Sequence, residues 1–496
     1  MNVLFFYIGE PSPVIETKLE LIKDHALAED KVLILKCNGQ LPNCHWNLKH
    51  RESKCAECCS KFENGIKMVS AHENVTVKQF SSVSISDINA PKLFNSIEDL
   101  KAFKYDGENI GWGIAAGLIS VFRDHRLDTV KYHSEVMLEL QTSVSVYETL
   151  RNEIDVFKPD RIYIFNGRLG THLPVRLICE SKEIEYFTYE VGNRSNTYTL
   201  LHNSYVHNVI QKSEAAKLIA EWTTDDEIQG ASILTKRRQG GGLGIIPVYT
   251  EMQQKNILPT SFKFGRRNIA IFNSTIDEYA GVENWVNPLY LPDETAGIHQ
   301  ILESFKDNED YVFYLRIHPH LKEVASTTSQ LVDIRDLAAR YDNLCVIPPD
   351  SNVDSYALLD ACDITLTFGS TIGVEATFWG KPSILAGRAA YMNFGVTYTP
   401  QTHHELIELL KNDPKPLSAT LAAQYQFWEA TRNSVSFRHF KQTGIRQGLA
   451  YGTFDGVVIK ANRIPAIWEW LMLFPRRIKK ALLNPSLIIR KIKTYA

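Results

Sequence analysis

The residues with the most specific chemical potential lie in the stretch Asp363–Ala386. A β-branched run leads into Gly369-Ser370-Thr371, an apolar segment with helical spacing follows for about three turns, and Gly380-Lys-Pro precedes a second apolar run. This order predicts a strand, a tight turn, a helix and a second strand. A helix N-terminus at the carboxyl end of a parallel strand offers backbone N–H groups and partial positive charge to an anion. Glu375, one helical turn after Thr371, is expected to face the same ligand, and a phosphate-bearing ligand with a hydroxylated sugar suits both.

Two further polar groups follow apolar runs in the same half of the chain. Ser274 and Thr275 follow one run, and Arg316 and His318 end the next. Because the carboxyl ends of parallel strands meet at one edge of a doubly wound sheet, these groups are expected to converge with Gly369–Thr371. Arginine and histidine would neutralise phosphate charge, while hydroxyls and N–H groups would hold its oxygens. A purely structural role is the alternative, since Ser and Thr are ordinary helix N-caps and His318 precedes a proline that suits a first helical position.

The first half of the chain offers a candidate pair for proton transfer. Arg168 and Glu190 each follow a predicted strand, so both should open into one cleft. Glu190 is the first candidate for the general base of a hydroxyl nucleophile, with Arg168 orienting a substrate. The alternative is an ion pair between them that braces a loop. Asp277 and Glu278 are reserve candidates for the base.

The cysteines are unevenly distributed, because five of the eight fall within residues 37–59. This segment is interpreted as an N-terminal loop in which Cys37, Cys44, Cys55 and Cys58, with Cys59 adjacent, could hold a structural zinc through four thiolates. Free or disulfide-linked thiols are the alternative. No Asp-x-Asp metal motif stands at a predicted strand end, so the chemistry is expected to need no cofactor.

Length and composition indicate a two-domain globular protein of 496 residues. The net charge of −3 argues against a nucleic-acid partner. The apolar start, Met1–Ile8, lacks a basic flank and predicts a first strand, not a signal peptide, and no apolar run approaches the roughly 20 residues that span a bilayer. These features predict a cytoplasmic protein.

Alternating strand and helix patterns occur in both halves and predict α/β domains built on parallel sheets. The predicted divisions are an N-terminal Rossmann-like domain over 1–250 with a Cys-rich insertion at 37–59, a linker over 251–267, a second Rossmann-like domain over 268–420, and C-terminal helices with a tail over 421–496. The glycine-rich run Arg237–Gly244 lacks a phosphate-loop ending and is interpreted as part of a flexible connector.

The C-terminal segment 464–496 differs from the rest in character. After Glu469 it carries seven Lys and Arg and no acidic residue, interleaved with Trp470, Phe474 and aliphatic side chains. Such pieces suit an anionic membrane surface, which attracts basic residues while aromatic rings lie at the interface. The alternative is a helix packed on the body of the protein with its lysines solvated.

Arg316-Ile-His-Pro319, followed by Phe368–Ala376 and Gly380-Lys-Pro382, resembles the nucleotide-sugar half of GT-B glycosyltransferases, above all those of bacterial capsule and lipopolysaccharide synthesis. The histidine-proline and serine-threonine pairs are also similar to those of CMP-sugar-using sialyltransferases, 3-deoxy-octulosonate transferases and glycerol-phosphate polymerases. The resemblance covers about Asn268–Gly387. In the first half, Asn166-Gly-Arg168 and Tyr189–Gly192 resemble a pattern in surface-polysaccharide transferases less closely.

This resemblance implies two Rossmann-like domains facing a central cleft, with the nucleotide bound by the C-terminal one and the acceptor mainly by the N-terminal one. It implies that His318 contacts the donor phosphate, that Ser370 and Thr371 hold it, and that Glu375 hydrogen-bonds the ribose. Retaining members often have a second glutamate eight positions later, where this chain has Ser383, which favours an inverting, metal-independent transfer.

The resulting hypothesis is a glycosyltransferase at the inner face of the cell membrane that moves a sugar from a nucleotide-sugar donor to a glycan or lipid-linked glycan acceptor. A UDP-sugar 2-epimerase or a glycerol-phosphate-type transferase of the same fold is the enzymatic alternative. A non-catalytic scaffold of a polysaccharide assembly complex is the alternative of another class. The sequence leaves the donor base, the sugar and the acceptor open.

Overall fold

The structure is a computed structural model that describes residues 1–69, 73–242, 250, 253–283, 285–446 and 449–461. The predicted membrane segment 464–496 and residues 251–252 of the predicted linker lie outside the described residues. Within those ranges, no helix is both long and apolar enough to cross a membrane.

The elements alternate along most of the chain, as the sequence predicts. The strands are β1 (Asn2–Tyr7), β2 (Lys31–Lys36), β3 (Val75–Gln79), β4 (Arg161–Phe165), β5 (Glu185–Val191), β6 (Thr197–His202), β7 (Arg267–Phe272), β8 (Tyr311–Arg316), β9 (Leu344–Ile347), β10 (Ile364–Thr367), β11 (Ser383–Leu385), β12 (Ser434–Ser436), β13 (Phe440–Arg446) and β14 (Leu449–Phe454). The helices are α1 (Val14–Leu27), α2 (Glu52–Ile66), α3 (Ile97–Lys101), α4 (Gly111–Phe122), α5 (His133–Phe157), α6 (Leu173–Ser181), α7 (Lys212–Glu221), α8 (Thr224–Arg238), α9 (Glu294–Glu303), α10 (Ser329–Arg340), α11 (Ser355–Ala361), α12 (Ile372–Phe378), α13 (His403–Lys411) and α14 (Ala419–Thr431). Short 3-10 helices cover Ile85–Asp87, Ile276–Glu278 and Pro319–Glu323.

The first sheet has seven strands in the order β12-β6-β5-β4-β1-β2-β3. Its central strands are parallel, while β6 and β12 add antiparallel partners at one edge. Alternate residues of β1 enter opposite layers, since Phe5 packs with α1 and α2 and Phe6 packs with α4, α5 and α6. Burial of both faces explains why this strand is an unbroken apolar run.

The second sheet has five parallel strands in the order β11-β10-β7-β8-β9. Ile271 of β7 faces the layer of α9, α10 and α13, and Ala270 and Phe272 face α11 and α12. Two doubly wound parallel sheets with helices on both faces confirm the predicted fold class of two Rossmann-like units.

Each sheet has one point where the strand order reverses. In the first sheet this point lies between β1 and β4, and in the second it lies between β7 and β10. Loops diverge at the carboxyl ends of such strand pairs and leave a crevice, so ligands of open α/β sheets bind there. We therefore expect a ligand-binding site in each of these two crevices.

The helices α7 and α8 precede the second sheet in sequence and pack with α14 beside α12. Gly230 of α8 lies so close to α14 that a β-carbon would meet the carbonyl oxygen of Ala423 at 1.7 Å. After α14 the chain returns to the first sheet, where β12 pairs with β6 and the β13–β14 hairpin adds Phe440 and Phe454 to the core beside α1. The boundaries of the predicted domains stay a prediction.

Three local predictions were wrong. The cysteine-rich segment was interpreted as a loop, but residues from Glu52 form the 15-residue helix α2. The run Arg237–Gly244 was interpreted as part of a flexible connector, whereas its first two residues are the end of α8, which is fixed by its contact with α14. Three strands also follow α14 where the sequence predicts helices, because β12 to β14 form through pairing with distant or returning segments.

Candidate functional site

A pocket of about 300 Å³, called here the second-sheet pocket, lies at the reversal point between β7 and β10. Five of the predicted site residues line it together, namely Arg316, His318, Ser370, Thr371 and Glu375. The other three lie directly beside them: Ser274 and Thr275 follow the β7 end that lines the pocket, and Gly369 precedes Ser370. The structure therefore brings the whole predicted phosphate-binding set to one edge of one sheet.

The turn after β10 positions Ser370 and Thr371 at the start of α12. The Ser370 carbonyl accepts a hydrogen bond from the backbone N–H of Gly373 at 3.1 Å, so the first helical turn begins there. The helix itself has seven residues, about two turns, which is shorter than predicted. A β-carbon on Gly369 would lie 3.1 Å from both Ser274 Oγ and the Arg388 carbonyl oxygen, so the loop after β7 and the turn are in close contact.

His318 has a defined tautomer. Its Nδ1 accepts a hydrogen bond from the backbone N–H of His320 at 3.3 Å. The backbone N–H of His318 donates to Asn273 Oδ1 at 2.8 Å, which fixes the position of the residue. Burial lowers the pKa of His318 to about 4, so the ring is neutral at pH 7. Because Nδ1 is an acceptor, the proton of the neutral ring resides on Nε2, which makes Nε2 a hydrogen-bond donor in this pocket.

Arg316 has a more structural position than predicted. Its Nη1 donates to the Pro348 carbonyl at 2.5 Å and its Nη2 to the Ser351 carbonyl at 3.1 Å. Burial lowers its pKa to about 10, which still leaves it charged at pH 7. The guanidinium therefore stabilises the loop after β9 and contributes positive charge to the second-sheet pocket.

Glu375 is held by two residues that the sequence analysis missed. Tyr356 Oη donates to Glu375 Oε2 at 2.5 Å, and Arg237 Nη1 lies 3.9 Å from Oε1. Burial raises the pKa of Glu375, while Arg237 and the tyrosine hydrogen bond oppose that rise. Arg237 comes from α8 and Tyr356 from α11. The sequence does contain a signal for the start of α8, because Thr223 and Asp226 are spaced as a capping box and form one in the structure.

A buried carboxyl supports the loop after β7. Glu294 accepts hydrogen bonds from the Ser274 backbone N–H at 3.2 Å, from Tyr279 Oη at 3.0 Å and from Gln330 Nε2 at 2.9 Å. Burial raises the pKa of Glu294 to about 8. Glu294 therefore fixes the Ser274 backbone. The sequence could not reveal this role, because an acidic residue at the start of a helix is common for its interaction with the helix dipole.

On the first sheet, Arg168 follows β4, as predicted. Glu190 was expected to follow a strand but lies within β5, because pairing with β6 extends that strand to Val191. Glu190 accepts a hydrogen bond from Asn166 Nδ2, and burial raises its pKa. Arg168 Nε and Nη1 are buried with no hydrogen-bond partner among the residues that the structure describes. Glu190 therefore acts on Arg168 through its charge, and two guanidinium nitrogens are available for a ligand.

The two sheet edges face each other across one cleft. The charge of Arg168 is favoured not only by Glu190 but also by Glu278 and Asp277, which belong to the second sheet. Arg123, after α4, bridges the same gap with Nε 2.9 Å from Asp277 Oδ2. Of the reserve candidates, Asp277 is thus engaged by Arg123, and Glu278 lies 3.3 Å from His320 Nδ1.

The zinc site proposed for Cys37, Cys44, Cys55 and Cys58 stays a prediction. Cys37 and Cys44 precede α2, whereas Cys55 and Cys58 lie on it. All eight thiols are free, and among the described residues no group of three or more His, Cys, Asp or Glu side chains is arranged to hold a metal ion. Burial raises the pKa of Cys58 to about 12, so this thiol is uncharged at pH 7.

Comparison with known proteins supports the motif resemblance. Residues 291–432 match the family model of the capsule polysaccharide biosynthesis protein, which confirms the predicted resemblance over the segment that holds Arg316, His318 and the Gly369–Glu375 stretch. A search of curated proteins finds no significant match.

Solved structures with a related arrangement include three of low identity. The KpsC β-Kdo 2,4 transferase of Thermosulfurimonas dismutans is 14% identical, with 59% of this chain and 84% of that chain covered and a TM-score of 0.33. The UDP-GlcNAc 2-epimerase of Neisseria meningitidis, bound to UDP-GlcNAc, is 13% identical over 86% and 98% of the chains, with a TM-score of 0.25. The spinosyn rhamnosyltransferase SpnG, complexed with spinosyn aglycone, is 10% identical over 87% and 96%, with a TM-score of 0.22. Conclusions about activity therefore depend on the residues of this chain.

Proposed function

We propose that this protein is a glycosyltransferase that moves a sugar from a nucleotide-sugar donor to a hydroxyl of a bacterial surface glycan, a capsule or lipopolysaccharide chain. The observation that carries the proposal is the convergence of His318, Ser370, Thr371 and Glu375 in one pocket at the reversal point of the second sheet. A neutral imidazole donor and two hydroxyls suit the oxygens of a phosphate, and a buried carboxylate suits ribose hydroxyls. The match of residues 291–432 to capsule polysaccharide biosynthesis proteins supports the same substrate class.

In the proposed reaction, the acceptor hydroxyl attacks the anomeric carbon of the donor sugar while the bond from that carbon to the phosphate oxygen breaks. Glu190 accepts the hydroxyl proton, and its raised pKa brings its basicity nearer to neutral pH. The charge that develops on the leaving phosphate is stabilised by the Nε2–H of His318 and by the unpaired nitrogens of Arg168. The nucleotide leaves with that charge, and the acceptor gains the sugar.

We further propose that transfer is inverting and independent of a metal ion. An attacking hydroxyl delivered from the first sheet edge approaches the side of the sugar opposite a leaving group held by the second. Ser383, buried in β11, stands where retaining relatives often have a glutamate. Product stereochemistry by NMR and turnover in the presence of a chelator test the two parts separately.

A His318→Ala variant tests the function itself. Loss of one donor to the leaving phosphate should reduce turnover by about 10²–10³-fold, measured as nucleotide release from a panel of CMP, CDP, UDP and GDP sugars with surface-glycan acceptors. His404→Ala, an exposed histidine of α13, is the matched control and should retain full turnover. Undiminished turnover in the His318 variant would remove this residue from the chemistry.

The same assay separates the alternatives. Release of free sugar without an acceptor would favour a UDP-sugar 2-epimerase, and transfer of a glycerol-phosphate unit would favour the polymerase type. Failure of every nucleotide to raise the melting temperature would favour a non-catalytic scaffold, because a ligand that binds the folded state stabilises it.

We also propose that the protein acts at the cytoplasmic face of the membrane through segment 464–496, on the basis of its basic and aromatic composition. Truncation after Asn462 should release the protein from vesicles that contain anionic lipid and leave donor turnover in solution intact. Binding that survives truncation would refute the anchor.

A further inference from the structure

A second and larger cavity, called here the first-sheet cavity, lies at the carboxyl edge of the first sheet, with a volume of about 1190 Å³. Its floor is formed by Gly9 and Glu10 after β1 and by Lys36 and Cys37 at the end of β2. The helix α2 forms one wall. The opposite wall is formed by β14 and the segment 458–461 that follows it.

The ionic lining of this cavity is mostly basic. Four lysines line it, Lys36, Lys54, Lys61 and Lys460, against two glutamates, although the whole chain carries a net charge of −3. Lys36 is paired with Glu63 outside the cavity at 2.7 Å. Lys54 and Lys460 are exposed, and in the described part of the chain their ammonium groups contact no carboxylate. Lys61 Nζ lies 3.6 Å from Glu16 Oε1, so among the described residues the positive charge that the cavity leaves without a carboxylate partner is that of Lys54 and Lys460.

Glu10, the more deeply buried of the two glutamates, does not cancel that charge. Its Oε1 lies 2.7 Å from Lys18 Nζ, which is itself 1% exposed and lies behind the cavity, and its Oε2 accepts from the Ile8 N–H at 3.2 Å. Although burial opposes ionisation, Lys18 and His172 hold the pKa of Glu10 down at about 2. This carboxylate is already satisfied by protein groups, so it does not repel an anionic ligand as a free carboxylate would.

Apart from Glu57 on α2, the remaining lining is uncharged. Cys37, Cys44, Cys55, Cys58 and Cys59 all line the cavity and contribute small, weakly polar side chains. Trp46 adds an aromatic surface. On α2, Lys54, Cys58 and Lys61 follow at spacings of four and three, which places them on one face. Apolar surface with a few placed charges is the character of a ligand site, not of a solvated groove.

The cavity adjoins the proposed reaction centre. In the first sheet β1 lies beside β4 and β5 follows, so the edge runs from the first-sheet cavity past Arg168 to Glu190. His45 packs edge-on against Trp46 of the cavity lining, with ring centroids 4.9 Å apart, and burial lowers its pKa to about 4. A chain bound in the cavity can therefore extend its end toward Glu190.

We infer that the first-sheet cavity binds an acidic segment of the acceptor glycan, with lysine ammonium groups at the carboxylates or phosphates of the sugars and the thiol and Trp46 surfaces against the rings. This inference rests on the proposed function, since it identifies the substrate class on the acceptor side of the same cleft. The size of the cavity, about four times that of the second-sheet pocket from 1190 and 300 Å³, accommodates several sugar units.

The cysteines provide a test that needs no turnover. The full chain is treated with N-ethylmaleimide alone, with oligogalacturonate or oligosialate as carboxylated glycans, with a phosphorylated mannan oligosaccharide, and with maltohexaose as the neutral control. Anionic glycan at ten times its dissociation constant should slow modification of Cys55 and Cys59 about tenfold, as read by peptide mass spectrometry. Cys345, half-buried on β9 outside the cavity, is the internal control and should not change.

Charge reversal provides the second test. Lys54→Glu combined with Lys460→Glu should abolish thiol protection by the acidic glycans and raise the KM for an acidic acceptor about tenfold, with the KM for the donor unchanged. Lys92→Glu, an exposed lysine of the same half outside the cavity, is the matched control. Equal protection by maltohexaose, or protection that survives the double variant, would overturn the inference.

The two hypotheses fail in different ways. If nucleotide sugars are turned over but no acidic glycan protects the thiols, the acceptor inference is wrong while the proposed function stands. If acidic glycans protect the thiols and no nucleotide sugar binds, the cavity is a glycan site on a protein without the proposed transferase activity.

Discussion

The carboxyl edges of the two sheets are built from the same strand-and-helix units but present different kinds of site. The second-sheet pocket is small, and its side chains have fixed partners: Tyr356 and Arg237 hold Glu375, and a backbone N–H fixes the His318 ring. The first-sheet cavity is larger, with exposed lysines and neutral thiols. Fixed polar groups suit one invariant ligand, and a roomy charged cavity suits a chain of several units.

This difference indicates which substrate suits the edge of each sheet. A nucleotide phosphate has one geometry, so preorganised donors favour it without reorganisation. A growing glycan presents repeating units, so its binding depends more on charge and contact surface than on single hydrogen bonds. Arg168 and Glu190 lie at the edge of the first sheet, and substitutions there test the comparison most directly.

The largest effect is expected for Glu190→Gln. Removal of the general base should lower kcat by about 10²–10⁴-fold while both substrates still bind. Because burial raises the pKa of Glu190, the wild-type rate should fall as pH decreases through a value above that of an ordinary glutamate, and the variant should lack this acid limb. The measurement is the pH profile of kcat.

Glu185→Gln, at the opposite end of β5 and paired with Arg161, is the control for that substitution and should keep the wild-type profile. An unchanged rate and acid limb in Glu190→Gln would assign the base to another residue, with Glu278 as the first alternative. The first sheet would then supply binding alone.

A stability effect is expected at Glu294, which supports the second-sheet pocket from below. Its pKa is raised by burial from 4.5 to about 8, so between these values the folded state holds a proton that the unfolded state has lost. The free energy of unfolding should therefore fall as pH rises through this window, by up to about 1.4 kcal/mol per pH unit. Glu294→Gln should remove that slope, as measured by urea unfolding between pH 5 and 8.

Glu309→Gln, an exposed glutamate on the loop before β8, is the control and should keep the slope. Identical slopes in wild type and Glu294→Gln would mean that the loop after β7 does not depend on a protonated buried carboxyl. The second-sheet pocket would then be less rigid than its hydrogen bonds indicate.

The parts of the site that sequence predicts are those whose signals are local. Gly369-Ser370-Thr371 and Arg316-Ile-His-Pro319 each lie between a strand pattern and a helix pattern, and the rule that parallel strands end at one edge was enough to bring them together. The same rule placed Arg168 and Glu190 on the opposite edge.

The parts that sequence missed depend on contacts between distant segments. Arg237 reaches the second-sheet pocket because Gly230 lets α8 pack directly on α14, and no local pattern encodes that approach. Whether Cys37, Cys44, Cys55 and Cys58 hold a metal ion stays a prediction, because spacing along a chain does not determine whether four thiols converge. The first-sheet cavity likewise needs β14 as its far wall, which returns from the other end of the chain.

The smallest effect is expected for Tyr356→Phe in the second-sheet pocket. The tyrosine hydroxyl donates to Glu375 at 2.5 Å and opposes the rise in the carboxyl pKa that burial causes, so its loss should raise that pKa further. Because a protonated carboxyl accepts hydrogen bonds from ribose hydroxyls less well than a carboxylate does, the KM for the donor should increase about tenfold with kcat nearly unchanged. Raising the pH should restore donor binding, because it restores the carboxylate.

Tyr398→Phe is the control, because the Tyr398 hydroxyl donates to the Lys415 carbonyl at 2.9 Å and lies outside the pocket. A donor KM that does not respond to Tyr356→Phe at any pH would show that Glu375 is a structural carboxyl, and the second edge would then hold the donor through its phosphate alone.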